Sequence, residues 1–237
     1  MSTSTPSGDP ISVFLVEDHP AILEAVTYQI NETPDVEVGG TTGSTMEAFR
    51  QIEKRQPDVV VVDISLEDGH GLDLIQNVQA QYPEVQMMVF SMYDESVYAE
   101  RALQAGATGY LMKDESLEEL INGIRAVSKG EVYLSDEMSS RVLHKAVRGK
   151  EAEAGPPIDE LTDRELAVFQ MLGEGYNLDE IQGRLNIARK TVEAYRRRAK
   201  EKLGFDSVAE LLEYAVQWAT APGDGTEPLE GAAEAET

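Results

Sequence analysis

The chain has 237 residues, 41% of them hydrophobic and 27% charged, which suits a globular protein of one large domain or two ordinary ones rather than a disordered one. Its 20 Lys and Arg against 44 Asp and Glu give a net charge of −24, which speaks against a generally basic nucleic-acid coat and against attraction to an anionic membrane. With no cysteine there is no disulfide, thiolate metal site or cysteine nucleophile, and no apolar run approaches the ~20 residues of a membrane span. The opening MSTSTPSGDP lacks the basic start and apolar core of a secretory signal, so a cytoplasmic location is expected.

The first half alternates short apolar runs with helical patterns. Ile11–Val16, Val59–Val62 and Val85–Phe90 are β-branched-rich runs of strand length, and Val36–Thr42 and Thr108–Leu111 are weaker strand candidates. Between them, apolar residues fall at helical spacing: Ile22, Ala25, Val26 and Ile30; Leu74, Ile75 and Val78; Leu117, Leu120, Ile121 and Ile124. Ser44 with Glu47, and Ser116 with Glu119, have the spacing of capping boxes. Five βα units within about 120 residues predict an α/β domain whose parallel sheet is covered by helices on both faces.

Beyond Lys129-Gly130 the pattern changes. A short helix is predicted from Asp136 to about Arg148, followed by a linker in GKEAEAGPP (149–157). Residues 161–220 read as helical throughout, with boxes at Thr162/Glu165 and Ser207/Glu210 and an Asn177 cap, which predicts a second, all-α domain. Residues 221–237 hold too few bulky apolar groups to fold and predict a disordered acidic tail.

The charge is divided along the chain. Residues 11–130 hold 21 acids and 7 bases, net −14, whereas 181–203 hold eight bases and two acids, net +6. One basic stripe therefore lies inside an acidic protein.

In a parallel sheet, ligand sites gather at the carboxyl ends of the strands. Glu17-Asp18 follow the first strand and Asp63 the third. Taken alone, Glu17-Asp18 would suit acids that cap the next helix. Three carboxylates brought together repel one another unless a hard cation neutralises them, and an oxygen-only donor set points to Mg²⁺. The fourth strand ends in Ser91, and the fifth leads through Tyr110 to Lys113. A hydroxyl and a cation added to metal-binding acids make a phosphoryl site, with Asp63 as the nucleophile of an aspartyl phosphate.

VFLVEDHP (13–20), VVVVDISLEDGHGLDLI (59–75), VFSM (89–92) and AGATGYLMKD (105–114) resemble the receiver domain of bacterial response regulators, a (βα)5 flavodoxin-like fold, over residues 11–130. The resemblance implies that Glu17 and Asp18 serve Mg²⁺ with Asp63 and the Ser65 carbonyl, and that Asp63 accepts phosphate from a sensor histidine kinase. It also implies that Lys113 contacts the phosphate and that Ser91 and Tyr110 form a switch pair. Leu66-Glu67-Asp68 stands where the family often has Met-Pro, so the loop there is expected to differ. His19 and His70 are read as loop residues near the pocket, without a role.

Residues 161–204 resemble the helix-turn-helix domain of the NarL/FixJ (LuxR-type) regulators, through Leu161-Thr162, Arg164-Glu165, Gly175, Lys190-Thr191-Val192 and Glu201-Lys202-Leu203-Gly204, and the resemblance implies four helices up to about Trp218. The basic stripe then falls on the helix that such a motif lays in the major groove. Arg189, Lys190, Glu193, Arg196 and Arg197 become candidates for bases and phosphates, with Thr191 and Val192 adding groove contacts. Ala188 replaces a capping Ser, and Gln182-Gly183, Tyr195 and Ala199 also depart from the pattern. The fourth helix, with Val208, Leu211, Leu212, Ala215 and Trp218, is expected to pack in the core, and the resemblance adds a homodimer contact.

The predicted organisation is a receiver over 11–130, a linker with a short helix over 131–158, a helix-turn-helix domain over 159–220 and a tail over 221–237. The implied function is a transcription factor, not an enzyme, switched by phosphorylation on Asp63. The departures in the helical domain support a second reading, a phosphorylation-independent regulator acting through protein partners. A third, an aspartyl-phosphate phosphatase, lacks a phosphate-cradling Gly loop after the first strand.

Overall fold

The computed structural model describes residues 9–148, 157–185 and 187–220; the centre of the predicted linker and the predicted acidic tail lie outside the described residues. The chain divides near Val147 into two compact units.

The first unit runs β1 (Ile11–Val16), α1 (Pro20–Asn31), β2 (Val36–Thr42), α2 (Thr45–Arg55), β3 (Val59–Val62), β4 (Ser65–Leu66), β5 (Gly69–His70), α3 (Gly71–Gln81), β6 (Gln86–Ser91), α4 (Glu95–Ala105), β7 (Gly109–Met112), α5 (Leu117–Val127) and α6 (Asp136–Arg148). Its main sheet has the order β2-β1-β3-β6-β7, all parallel. The strand order turns back at β1, so the crevice above β1 and β3 is where such a fold places a ligand. The all-valine β3 is buried along its whole length, as a central strand covered on both faces must be.

Register sets the site. Val16 pairs with Val62, so Glu17 and Asp63 leave neighbouring strands at one level, and the Asp63 amide donates to Val16 O at 3.0 Å. The predicted fourth strand is shifted by one residue, which places Ser91 inside β6, opposite Met112. The Lys113 amide then donates to Ser91 O at 2.8 Å, fixing Lys113 beside the same crevice.

The hairpin β4–β5, absent from the sequence reading, turns the chain immediately after Asp63. Gly71 closes that turn: a Cβ there would lie 2.1 Å from Asp63 O, so no larger residue fits without moving backbone. Gly71→Ala is expected to cost about 1–3 kcal/mol, the range for overpacking a filled site, read as a lower urea midpoint with an unchanged slope.

The sheet edge beyond β7 is covered by the start of the predicted linker. Tyr133 N donates to Thr108 O at 3.0 Å and Tyr110 N to Tyr133 O at 2.9 Å, a parallel bridge onto β7. The Tyr133 hydroxyl donates to Glu119 on α5. Burial, then that carboxylate, pushes the Tyr133 phenol up to about 12, so it stays a donor at neutral pH.

The second unit holds a 3-10 turn (Pro157–Glu160), α7 (Asp163–Gly173), α8 (Leu178–Leu185), α9 (Arg189–Lys202) and α10 (Val208–Thr220). Leu166, Phe169, Ile181, Val192, Ala199, Leu211 and Ala215 make its core. α7 and α10 approach closely at Gly173, where a Cβ would meet Ala215 O at 2.3 Å. Phe169 packs on Tyr214 and Trp218.

Of the predicted caps, Thr162/Glu165 is a full reciprocal box. Asn177 forms another with Glu180: its Oδ1 accepts from the amides of Asp179 and Glu180, and Glu180 Oε2 accepts from Asn177 N. Ser44 and Ser116 cap their helices, but Glu47 and Glu119 bond to Gln51 and Tyr133 instead of returning to the cap. Ala188 offers α9 no side-chain cap, as its methyl dictates.

Candidate functional site

At the carboxyl ends of β1, β3, β6 and β7, four side chains converge on Asp63. Ser91 Oγ donates to Asp63 Oδ1 at 2.7 Å, and Lys113 Nζ donates to Asp63 Oδ2 at 2.7 Å. The same Nζ lies 2.6 Å from Glu17 Oε2, and its side chain is only 2% exposed. One buried cation thus bridges two buried carboxylates, an arrangement whose cost is offset only by such direct pairing. The Ser65 amide adds a 3.3 Å bond to Asp63 Oδ1.

Asp18 lies beside this group. Its Oδ2 accepts from the Glu67 amide at 2.7 Å, while its Oδ1 is buried without a hydrogen bond. His19 Nδ1 stands 2.9 Å from that oxygen, out of line for hydrogen bonding, and 3.0 Å from Glu17 Oε1. Glu17, Asp18, His19 and Asp63 each offer a ligand atom within 4.8 Å of the others. An unsatisfied buried carboxylate oxygen amid hard oxygen donors fits Mg²⁺.

Tyr110 is turned inward. It is 1% exposed, and its hydroxyl donates to Tyr93 O, in the turn before α4, at 2.7 Å. Burial, then the negative charge of Asp63, holds its phenol well above the usual value, so it acts only as a neutral donor.

All the residues read from the sequence as belonging to this pocket are therefore brought together, with one correction. His70 is not a loop residue: it is buried in β5 and precedes α3. His19 keeps its expected place in the loop before α1, with its Nδ1 3.0 Å from Glu17 Oε1 and 2.9 Å from Asp18 Oδ1. Sequence reasoning also missed Asp68, which ties the hairpin to α2 by accepting from Ser44 Oγ at 2.6 Å and Thr45 N at 2.8 Å. Burial opposes its ionisation, but these donors win and hold its carboxyl below the usual range. Its one local signal was its place in the loop where the family pattern was broken.

In the second unit, α9 carries the basic stripe. Lys190, Glu193 and Arg197 are exposed, and Thr191 and Arg196 half-buried. Val192 is fully buried, so the expectation that it contacts a groove is corrected: it belongs to the helical core with Ala199. Arg189 pairs with Asp179 on α8 and, at 3.3 Å, with Glu193. Arg198 stacks over Tyr195 at 4.9 Å and lies 3.8 Å from Glu165. Arg197 lies 3.8 Å from Glu201. Among the described residues, Lys190 and Arg196 carry no ion pair, and no helix is long and apolar enough to cross a membrane.

The family described as response regulator receiver domain matches residues 13–125, and the LuxR family of bacterial regulatory proteins matches 159–215. The oxygen regulatory protein NreC of Staphylococcus carnosus is 30% identical over 211 residues, covering 87% of this chain and 97% of its own; NreC of Staphylococcus aureus is equally similar. Among solved structures, the Salmonella typhimurium response regulator RcsB superposes with a TM-score of 0.66 at 23% identity, over 89% of this chain and 98% of its own. A LuxR-family two-component response regulator from Aurantimonas superposes with a TM-score of 0.54 at 27% identity, over 59% of this chain and 99% of its own. RcsB has also been solved bound to promoter DNA with a beryllofluoride phosphomimetic, and that structure superposes with a TM-score of 0.62 at 23% identity, over 88% of this chain and 100% of its own.

Proposed function

The chain belongs to the NarL/FixJ-type response regulators, with a receiver domain and a LuxR-type DNA-binding domain, and on that premise we propose that phosphorylation of Asp63 by a sensor histidine kinase switches its assembly and its binding to DNA. Family members are transcription regulators, not enzymes, which sets the phosphatase reading aside. The observation that carries the proposal is the convergence of Ser91, Lys113, Glu17 and Asp18 on Asp63.

An Asp63 oxygen forms the bond to phosphorus as the P–N bond of a phosphohistidine breaks. The electron pair leaves with the imidazole, which takes up a proton. Receiver domains generally use Mg²⁺; here Glu17, Asp18, Asp63 and the Ser65 carbonyl would hold it, and it would offset charge on the transferring phosphoryl oxygens. Lys113 supplies a second fixed positive charge, and its burial raises its effect by excluding water.

Ser91 is a donor that can move from the carboxylate to a phosphoryl oxygen. Tyr110 then keeps its inward place through Tyr93 O, and the Tyr110 amide holds Tyr133 at the start of the linker. Phosphate on Asp63 would act on the packed element that Tyr110 ties together, the β6–α4 turn and β7, by favouring a second arrangement of it. The expected outcome is a homodimer that sets two α9 helices in successive major-groove faces of a paired site.

Acetyl phosphate or beryllofluoride with Mg²⁺ is expected to raise both the dimer fraction in sedimentation and the affinity for a promoter duplex. A change in neither would overturn the proposal. Within the bound state Lys190 and Arg196 act as phosphate ligands, so Arg196→Ala is expected to lower the slope of log affinity against log salt by about one, uniformly across sequences.

A further inference from the structure

α9 is a basic helix, yet its second turn exposes an acid. The Glu193 side chain is 45% exposed, and its Oε1 accepts from Arg189 Nε at 3.3 Å. Arg189 is held in turn by Asp179 on α8. With Val192 and Ala199 buried on the inner side, residues 189, 193 and 197 form one outward row at intervals of four. Lys190 and Arg196 flank it.

A carboxylate on such a row is repelled by DNA phosphates, so it weakens binding at most places in the interface. It gains only where it meets a donor. The major groove offers two, the exocyclic amines of cytosine and adenine; the adenine amine sits beside the N7 lone pair, which repels an anion, whereas cytosine presents only its amine there. Residues near the N-terminus of a recognition helix are the ones that reach base edges, and Glu193 is the fifth residue of α9.

We propose that Glu193 reads a cytosine by accepting from its N4 amine, and that Arg189 is a positioning residue rather than a phosphate ligand. Arg189 loses freedom to its pairing with Asp179 and hands a fixed direction to the Glu193 carboxylate. This inference rests on the proposed use of α9 as the DNA-reading helix.

Binding-site selection from a random duplex library, with the full chain, beryllofluoride and Mg²⁺, tests it. Wild type is expected to enrich a motif with a fixed cytosine. Glu193→Ala should lose discrimination at that one position by about tenfold and keep the rest of the motif. Glu193→Gln should replace the cytosine by adenine, because a side-chain amide pairs with adenine N6 and N7 together. Asp179→Asn should blur the same position and no other, an effect that a merely structural role would not localise. Identical motifs for wild type, Glu193→Ala and Glu193→Gln would overturn the proposal. So would a uniform gain in affinity for every duplex, which would mean that Glu193 only opposes phosphates. A wild type that enriches no sequence would remove the reading role of α9 along with this proposal.

Discussion

Asp63→Asn is expected to abolish phosphate uptake from acetyl phosphate while leaving the receiver folded. The replacement has the same shape, and its amide oxygen can still accept from Ser91 or Lys113, the two side chains within 2.7 Å of the carboxylate. What disappears is the anionic nucleophile. Intact-mass measurement after incubation with acetyl phosphate and Mg²⁺ should find one added phosphoryl group on wild type and none on the variant. A variant that still gains an acid-labile phosphate would move the acceptor away from Asp63. Lys113→Ala should keep the nucleophile but leave two buried carboxylates, Glu17 and Asp63, facing each other without their shared cation. Its phosphorylation is therefore expected to be slowed rather than lost at saturating Mg²⁺.

The second large effect is on stability. Glu165 is 2% exposed and holds the helical unit together at three points: Thr162 N in the capping box, Lys202 Nζ at 2.7 Å, and Arg198 at 3.8 Å. Lys202 also donates to Glu160 O, so the pair pins the last turn of α9 against the entry to α7. Glu165→Ala removes the carboxylate half of the box, leaving only the bond from the residue-165 amide to Thr162 Oγ1, and strands a partly buried ammonium. The expected loss is about 2–4 kcal/mol, below the full cost of breaking a wholly buried pair because Lys202 can reach solvent. Glu165→Gln keeps the box and should lose less. Thermal unfolding of the helical unit measures both, and DNA affinity should fall with the folded fraction.

The same residue sets a pH dependence. Burial works against ionisation of Glu165, but the Lys202 ammonium and the Thr162 amide outweigh it and hold its carboxyl below the ordinary 4.5. A lowered folded value means that its stabilisation is complete above the ordinary value and is lost as pH falls through the folded one. Unfolding midpoints of wild type are expected to drop through that acid range, and those of Glu165→Gln to drop less.

Much of this is legible in the sequence. Buried parallel strands must be apolar on both faces, so VVVV announced β3, and each chemical group stood at the first polar residue after such a run. The basic stripe was visible because the rest of the chain is acidic. What sequence hid was tertiary. A two-residue hairpin has no periodicity to detect, so the tie of Asp68 to Ser44 and Thr45 was invisible. The residues around Tyr133 read as linker because a single bridge onto β7 needs a partner strand to be recognised. Val192 was misread because motif position outweighed helix phase: it lies seven residues before the buried Ala199, on the same inner face. The place of the His19 ring beside Glu17 and Asp18 was likewise hidden, because nothing local fixes it.

Promoter affinity measured by fluorescence anisotropy for wild type and Asp63→Asn, with and without beryllofluoride and Mg²⁺, tests the coupling of pocket to helix most directly. The expected result is tighter binding by wild type on addition of beryllofluoride and one unchanged, weak affinity for the variant. Equal affinities in all four conditions would contradict it, and would leave a DNA-binding regulator whose receiver does not govern α9.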